Sequence, residues 1–193
     1  MKIGIFGGSF NPPHKMHFDI GVNLIKSGYV DKIIYVPTGS KYKYKNNLVS
    51  DEHSYRMLEL MIKDDDRFSV SDFEFKDYVV YTCETLKYFQ DLYSDDEIYF
   101  VCGADNLSYV DTWKNAVYLL ENYKFLVIRR LTDNIDDILK RLDKYKDNII
   151  ITDISLSSLS STEIRNKIKN KEDVSDDLNS EVLDYLLKNR LYD

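Results

Sequence analysis

The sequence lacks the features of an extracellular, membrane-bound or metal-stabilised protein. Only two of its 193 residues are cysteines, Cys83 and Cys102, and each lies inside an apolar pattern rather than in a closely spaced pair. Buried thiols are therefore favoured over a disulfide or a zinc site. No segment approaches the roughly 20 apolar residues of a membrane-spanning helix, and the apolar run near the start is too short for a signal peptide. We expect a soluble, cytoplasmic protein with no structural metal and no membrane contact.

An excess of positive charge is also missing. The chain has 26 Lys and Arg against 33 Asp and Glu, which gives a formal net charge of -7. Proteins that bind duplex nucleic acid normally carry a basic surface that neutralises phosphates. We therefore expect no nucleic-acid partner, whereas a small charged ligand is compatible with this composition.

Strand and helix patterns alternate along the chain. Its length and its 44% hydrophobic composition indicate one domain, residues 1–193, with a sizeable core. Periodicity predicts strands at residues 2–6, 32–36, 68–70, 97–102, 124–128 and 148–152, and helices at 17–27, 51–63, 82–93, 112–122, 133–145, 161–170 and 178–189. This alternation predicts an α/β fold with an open parallel sheet and helices on both faces. The sheet would occupy about residues 1–155, and a C-terminal helical segment about 160–193.

The turn after the first predicted strand has the character of an anion site. Residues 7–17 read Gly-Gly-Ser-Phe-Asn-Pro-Pro-His-Lys-Met-His. The glycines let backbone N–H groups approach a phosphate, and the following helix would direct its positive dipole end to the same place. The G-x-G-x-x-G and G-K-[ST] spacings are absent, which disfavours hydride transfer and P-loop hydrolysis. The turn therefore predicts a phosphate-binding site of another kind.

Two of the three histidines, His14 and His17, lie in this turn. A helix cap and a surface histidine would explain an isolated pair at this spacing. Beside a phosphate cradle, however, imidazolium groups would stabilise charge that develops during displacement at phosphorus. A zinc site would need a third ligand, for which His53 is a poor candidate. We therefore interpret both histidines as phosphate contacts.

A second candidate cradle lies near the other end of the chain. Residues 157–165 read Ser-Ser-Leu-Ser-Ser-Thr-Glu-Ile-Arg, follow a predicted strand and open a predicted helix. Ser160 and Glu163 have the spacing of a capping box, which is compatible with a binding role. Hydroxyl and N–H groups at this helix start, with Arg165 one turn in, would hold a phosphate. The two helix starts together indicate one triphosphate held between them.

In this order, the two segments resemble the HxGH and ISSTxxR motifs of the nucleotidyltransferase superfamily. The chain is similar to the bacterial nicotinate-nucleotide adenylyltransferases in particular. The similarity continues through Val80-Tyr81-Thr82, Gly103-Ala104-Asp105, Thr112-Trp113, Arg129-Arg130 and Arg190-Leu191-Tyr192. It implies a Rossmann-like fold and the transfer of AMP from ATP to nicotinate mononucleotide, with release of pyrophosphate and with Mg²⁺ present. The attacking phosphate is already ionised at neutral pH, so no Ser-His or Cys-His pair is required.

The resemblance also assigns roles to individual residues. It implies that the ATP phosphates are held by His14, His17 and Arg165. Further ATP contacts would come from Gly7, Gly8, Ser9, Phe10, Ser160, Ser161 and Thr162, with Gly103 and Asp105 at the ribose. The mononucleotide would contact Tyr81, Thr82, Lys45 and Trp113. The indole of Trp113 would stack on the pyridine ring, with Thr82 and nearby backbone amides near the ring carboxylate. Ordinary core packing is the alternative for Trp113, the only tryptophan.

The chain departs from the family pattern at two places, and three other functions stay open. Met16 stands where the family usually has glycine, and the basic stretch at residues 41–47 replaces a Pro-Pro-His-Lys segment. That stretch is either a solvated loop or a phosphate contact beyond the end of a strand. The alternatives are a nicotinamide mononucleotide acceptor, a phosphopantetheine acceptor and a non-catalytic nucleotide sensor. The oligomeric state, including a homo-oligomer, is left open.

Overall fold

The computed structural model describes residues 1–42, 48–130, 135–156 and 159–192. Its strands are β1 (Lys2–Gly8), β2 (Lys32–Pro37), β3 (Phe68–Val70), β4 (Glu97–Gly103), β5 (Lys124–Arg130) and β6 (Ile149–Leu156). Its α-helices are α1 (Lys15–Lys26), α2 (Asp51–Ile62), α3 (Thr82–Leu92), α4 (Ala104–Leu107), α5 (Ala116–Asn122), α6 (Ile135–Arg141), α7 (Ser161–Lys169) and α8 (Ser180–Lys188). Short 3₁₀ helices occupy Val110–Thr112 and Asp143–Asn148.

The strands form one sheet in the order β3-β2-β1-β4-β5-β6. All neighbouring pairs are parallel, which confirms the open parallel sheet predicted from the alternation of elements. Central strands of such a sheet are covered on both faces, which is why residues 33–36 of β2 are an unbroken apolar run and are all buried. The strand order reverses between β1 and β4. Open α/β sheets bind ligands at the carboxyl ends of the strands that flank such a reversal.

The core is divided by the sheet into two clusters of buried side chains. Along β1, Ile3 and Ile5 belong to one cluster while Phe6 belongs to the other, because successive side chains of a strand point to opposite faces. Leu24 of α1 and Leu186 of α8 pack in the cluster that contains Phe6. Helices α3 and α5 cover the opposite face. The predicted placement of helices on both faces is confirmed.

Several predicted boundaries are displaced. The helix predicted at 112–122 begins only at Ala116, because Val110–Thr112 forms a 3₁₀ turn and Asn115 has a left-handed backbone with φ of 56°. Within the described part of the helix predicted at 133–145, the α-helix ends at Arg141 and a 3₁₀ helix begins at Asp143. Strand β6 is longer than predicted, since its pairing with β5 continues beyond a bulge. Within the described ranges, no helix is long and apolar enough to cross a membrane.

Candidate active site

The glycines of the first turn lie at the reversal of strand order. Gly7 and Gly8 end β1, and Gly103 ends the neighbouring β4. A Cβ added to Gly8 would lie 3.0 Å from the Phe10 ring, so the turn has little room for a side chain there. The carbonyl of Gly8 accepts a hydrogen bond of 2.8 Å from the Thr38 N–H at the end of β2. This turn therefore lies at the edge of the sheet where open α/β folds bind ligands.

Phe10 is a buried residue of the first turn, and its side chain is not exposed to a ligand. Its side chain is only 2% exposed and its φ of 42° lies in the left-handed region. The ring packs edge-on against Phe6 at 5.4 Å and against His17 at 4.9 Å between centroids. Any contact of Phe10 with a nucleotide would therefore come from its backbone. The Phe10 ring itself is packed in the core and supports the turn.

His14 and His17 form a pair at the start of α1. His14 is the N-cap residue, and its backbone N–H donates to Nδ1 of His17 over 3.2 Å. The two ring centroids are 3.7 Å apart. Because Nδ1 of His17 accepts a hydrogen bond, the proton of the neutral ring is on Nε2, which makes Nε2 a donor. The predicted cap is thus present, and it is compatible with a donor directed to a phosphate.

A buried tyrosine holds this helix start in place. The Tyr35 hydroxyl donates to the backbone carbonyl of His17 over 2.9 Å. Burial raises the pKa of Tyr35 well above its ordinary value, so the hydroxyl stays protonated as a donor. A Cβ added to Gly21 would lie 2.7 Å from that hydroxyl oxygen, which explains glycine at this helical position.

The second predicted cradle contacts the first turn directly. Nη1 of Arg165 donates to the Asn11 carbonyl over 2.6 Å, and Nη2 donates to Oγ1 of Thr162 over 3.0 Å. The Ser161 hydroxyl donates to the Pro12 carbonyl over 2.9 Å. Ser160 caps α7 by accepting the N–H of Glu163 over 3.2 Å. The two segments, about 150 residues apart in sequence, are therefore adjacent in the fold.

Asn11 is a residue that sequence reasoning missed. Its side-chain Oδ1 accepts the Tyr192 hydroxyl at 2.6 Å and the Val49 N–H at 3.4 Å, while its backbone carbonyl accepts from Arg165. Burial raises the pKa of Tyr192, which keeps its hydroxyl a donor. Asn11 thus joins the first turn to α7, to the C-terminal turn and to the segment before α2. The family-like Arg190-Leu191-Tyr192 was the sequence signal for part of this contact.

A cavity of about 550 Å³ adjoins the first turn. It lies between the carboxyl ends of β1 and β4 and the start of α3, and Gly7 and Gly8 line it. The predicted mononucleotide residues Tyr81, Thr82 and Trp113 line it as well. Lining residues that the sequence did not indicate include Thr38, Tyr42, Glu74, Asn106, Tyr109 and Lys114. The cavity and the first turn therefore share the glycines, whereas His14 and His17 do not line the cavity.

Trp113 combines the two roles considered for it. It is half-buried, and its ring meets Phe100 edge-on at 6.0 Å between centroids and Tyr109 at 6.3 Å. It also lines the cavity. The indole is thus supported by core packing while part of it faces the space that a ligand would enter.

Glu74 brings a carboxylate to the same cavity. Its Oε1 accepts the hydroxyl of buried Thr85 over 2.7 Å. The backbone carbonyl of Glu74 would overlap a Cβ added to Gly39, so the loop after β2 passes directly against it. Glu74 lies outside the regular elements, where periodicity carries no information, and this explains why the sequence did not indicate it.

The remaining predicted residues have different placements. Gly103 ends β4 and exposed Asp105 follows it at the ligand edge of the sheet, but neither lines the cavity. Ser9 is half-buried in the first turn, and Met16 packs against the hydrophobic core. Lys45, predicted to contact the mononucleotide, lies outside the described residues.

The comparisons with known proteins agree with this geometry. A family profile described as cytidylyltransferase-like matches residues 5–167. Probable nicotinate-nucleotide adenylyltransferases of Clostridium novyi (strain NT) and Fusobacterium nucleatum subsp. nucleatum are 37% and 39% identical to the chain. The first match spans 180 residues and 90% of each protein, and the second spans 184 residues, 94% of this chain and 95% of the relative. The chain therefore belongs to the cytidylyltransferase-like family and, within it, to the nicotinate-nucleotide adenylyltransferases.

Solved structures show the same fold. The Plasmodium falciparum nicotinic acid mononucleotide adenylyltransferase, complexed with NaAD, gives a TM-score of 0.83 at 22% identity, over 99% of this chain and 97% of that one. A protein of Vibrio parahaemolyticus described as a putative nicotinate-nucleotide adenylyltransferase gives 0.68 at 24% identity, over 99% and 94%. The Rossmann-like architecture and the family resemblance stated from the sequence are confirmed.

Proposed function

We propose that the protein transfers the adenylyl group of ATP to nicotinate mononucleotide, which yields nicotinate adenine dinucleotide and pyrophosphate for NAD biosynthesis. The observation that carries this proposal is the contact between the two predicted phosphate segments. Arg165 and Ser161 donate to the backbone carbonyls of Asn11 and Pro12, in the turn that leads into His14. A cavity lined by Trp113 opens beside that turn, so a triphosphate and a mononucleotide have adjoining places. Membership of the adenylyltransferase family supports the same reaction.

The reaction is a displacement at the α-phosphorus of ATP. An oxygen of the mononucleotide phosphate forms a bond to the α-phosphorus, and the bond to the bridging oxygen of the β-phosphate breaks, which releases pyrophosphate. The attacking oxygen is already ionised, so the protein has no proton to remove. Its contribution is to align the two phosphates and to stabilise negative charge on the transferred and departing groups. His14, His17 and Arg165 are the side chains that we assign to this task.

The two substrates would bind at different places, ATP at the first turn and the mononucleotide in the cavity. ATP would lie on the backbone of Gly7, Gly8, Ser9 and Phe10 and on Ser160, Ser161 and Thr162, with its ribose near Gly103 and Asp105. The pyridine ring would stack on Trp113 beside Tyr81 and Thr82, which end the cavity at the start of α3. Lys45 stays a proposed contact for the mononucleotide phosphate.

Mg²⁺ would enter with ATP in this proposal. The described part of the chain contains no group of three or more His, Cys, Asp or Glu side chains placed to hold a metal ion. Mg²⁺ retains several waters and is commonly bound through substrate phosphates, so this donor set fits an ion carried by the triphosphate. Bound there, it would neutralise part of the phosphate charge. A cytoplasmic location also belongs to the proposal.

The identity of the acceptor is the part of the proposal that is tested here. Purified protein is incubated with ATP, Mg²⁺ and one acceptor at a time, and pyrophosphate release is followed. We expect kcat/KM for nicotinate mononucleotide to exceed that for nicotinamide mononucleotide or phosphopantetheine by about tenfold or more. Equal values for the acceptors would contradict the assignment. If the protein binds nucleotide but releases no pyrophosphate from ATP with any of the acceptors, the result would indicate the sensor alternative.

A further inference from the structure

The acceptor cavity contains a cation that the family motifs do not indicate. Among the described residues that line it, the charged side chains are Lys114 and Glu74. The Lys114 Nζ lies 4.4 Å from the ring centroid of Tyr81 and 3.6 Å from Oε1 of Glu84. The side chain is 46% exposed, so its ammonium group is accessible from the cavity.

Both contacts place Lys114 at the first turn of α3. Tyr81 is the N-cap of this helix, and its N–H donates over 2.9 Å to Oε2 of Glu84. The backbone N–H groups at a helix start carry partial positive charge. The ammonium group and the helix start therefore bring positive charge to one end of the cavity. Trp113, the residue before Lys114, stands beside that end.

Two carboxylates lie near this cation, and their hydrogen bonds leave both of them charged. Oε1 of Glu74 is engaged by the Thr85 hydroxyl at 2.7 Å. Glu84 uses Oε2 for the helix cap and approaches Lys114 only through Oε1, at 3.6 Å. A ligand carboxylate at the end of the cavity would therefore compete with Glu84 for Lys114, and the 3.6 Å contact with Glu84 is longer than a hydrogen bond.

We infer that Lys114 determines specificity for the acceptor, because its ammonium group binds the carboxylate on the pyridine ring. This inference rests on the proposed function. Nicotinate and nicotinamide differ at that substituent by one unit of negative charge. A cation stabilises the carboxylate, whereas it gains much less from a neutral amide whose NH₂ group cannot accept its protons. Because Lys114 is partly exposed, the interaction is weakened by salt.

The test compares Lys114→Met with the wild-type protein on both acceptors. We expect KM for nicotinate mononucleotide to rise about tenfold with kcat retained, and kcat/KM for nicotinamide mononucleotide to change less than about twofold. Lys114→Arg should restore most of the affinity, since it keeps the charge. The matched control is Lys87→Met, which removes an exposed lysine of α3 paired with Asp91 at 3.0 Å and should leave both KM values unchanged.

Direct binding gives a readout besides activity. Trp113 is the only tryptophan, so its fluorescence can follow nicotinate mononucleotide in the absence of ATP. The dissociation constant should rise about tenfold in Lys114→Met, and its increase with salt should be steeper in the wild type than in the variant. The melting temperature of each variant is measured alongside.

The outcomes separate this inference from the proposed function. Absence of adenylyl transfer by the wild type to either acceptor would overturn the proposed function. Transfer to nicotinate mononucleotide with an unchanged acceptor ratio in Lys114→Met would overturn only the role of Lys114. An equal loss for both acceptors would also overturn it, because a cation that only supports Tyr81 would affect both alike.

Discussion

His17 shows how one side chain can serve both the fold and the reaction. Its Nδ1 accepts the N–H of His14 and helps to cap α1, which leaves the ring proton on Nε2. From the sequence, a cap and a phosphate contact were competing interpretations of the same residue. In the structure the cap uses one ring nitrogen, so the two interpretations are compatible.

This division leads to a prediction for His17→Ala. Loss of the donor should lower kcat at least about a hundredfold, because the charge that it stabilises develops in the transition state. Loss of the cap should lower the free energy of unfolding by only about 1 kcal/mol. Steady-state kinetics and denaturant unfolding measure the two effects.

The matched control is Asn23→Ala, which changes an exposed residue of α1 away from the turn. It should alter neither kcat nor stability appreciably. A His17→Ala protein that keeps wild-type kcat would rule out the phosphate contact. One that is unfolded at the assay temperature would show that the cap dominates.

Residue types in the motifs were predictable, whereas the contacts of Asn11, Glu74 and Lys114 were not. Asn11 lay within the first motif, but its partners include Tyr192, which is 181 residues away. Glu74 lies in an irregular segment, and Lys114 is indistinguishable by sequence from other surface lysines. Their roles arise from tertiary packing, which a single sequence does not display.

At the scale of elements, the strands were predicted better than the helices that follow them. Each buried strand of a parallel sheet is a short apolar run, and this signal is local. The start of α5 depends instead on the left-handed backbone of Asn115, and the extent of β6 depends on pairing with β5. These features are set by neighbouring elements rather than by periodicity.

Helices α2 and α8 are joined by an ion pair that makes stability depend on pH. The Lys63 Nζ lies 2.6 Å from Oε1 of Glu181, and this contact, together with hydrogen bonds from the Ser180 hydroxyl and the Glu181 N–H, lowers the pKa of Glu181 to about 2. A carboxylate with a lowered pKa stabilises the fold above its unfolded pKa of about 4.3. The contribution is lost as pH falls from there through about 2.

We therefore expect Glu181→Gln to melt at a lower temperature than the wild type near pH 6. The difference should be small, because the pair is partly exposed and screened by solvent. It should shrink below about pH 4.3 and vanish near pH 2. Thermal melts at several pH values check this, with Asp184→Asn as the control on an exposed carboxylate of the same helix. A difference independent of pH would show that the ion pair is not its source.

At the scale of the molecule, the distribution of charge explains how an acidic protein would bind anionic substrates. The chain carries a formal net charge of -7, yet both proposed substrates are anions. Arg165, Lys114 and the starts of α1, α3 and α7 place positive potential at one edge of the sheet. A negative net charge therefore argues more strongly against binding of extended polyanions than against binding of small anionic ligands. The reason is that local geometry controls the field inside a cleft.

The assembly of the site also belongs to this scale. The two phosphate segments were predicted from their residue types, and their resemblance to a known pair of motifs predicted that they act together. Their contact arises in the fold, where α7 follows the edge strand β6 and its start nevertheless meets the turn after β1, three strands away. No local property of either segment requires that contact; the sequence suggested it only through the shared phosphate chemistry of the two helix starts and through the family resemblance.

The central claim is that one site joins the adenylyl group of ATP to nicotinate mononucleotide. Its most direct test is the fate of ATP labelled at the α-phosphate when the purified protein is supplied with Mg²⁺ and nicotinate mononucleotide. We predict that the label appears in nicotinate adenine dinucleotide, in equal amount with the pyrophosphate released. Label recovered as AMP, or retained in ATP while both substrates bind, would contradict the account.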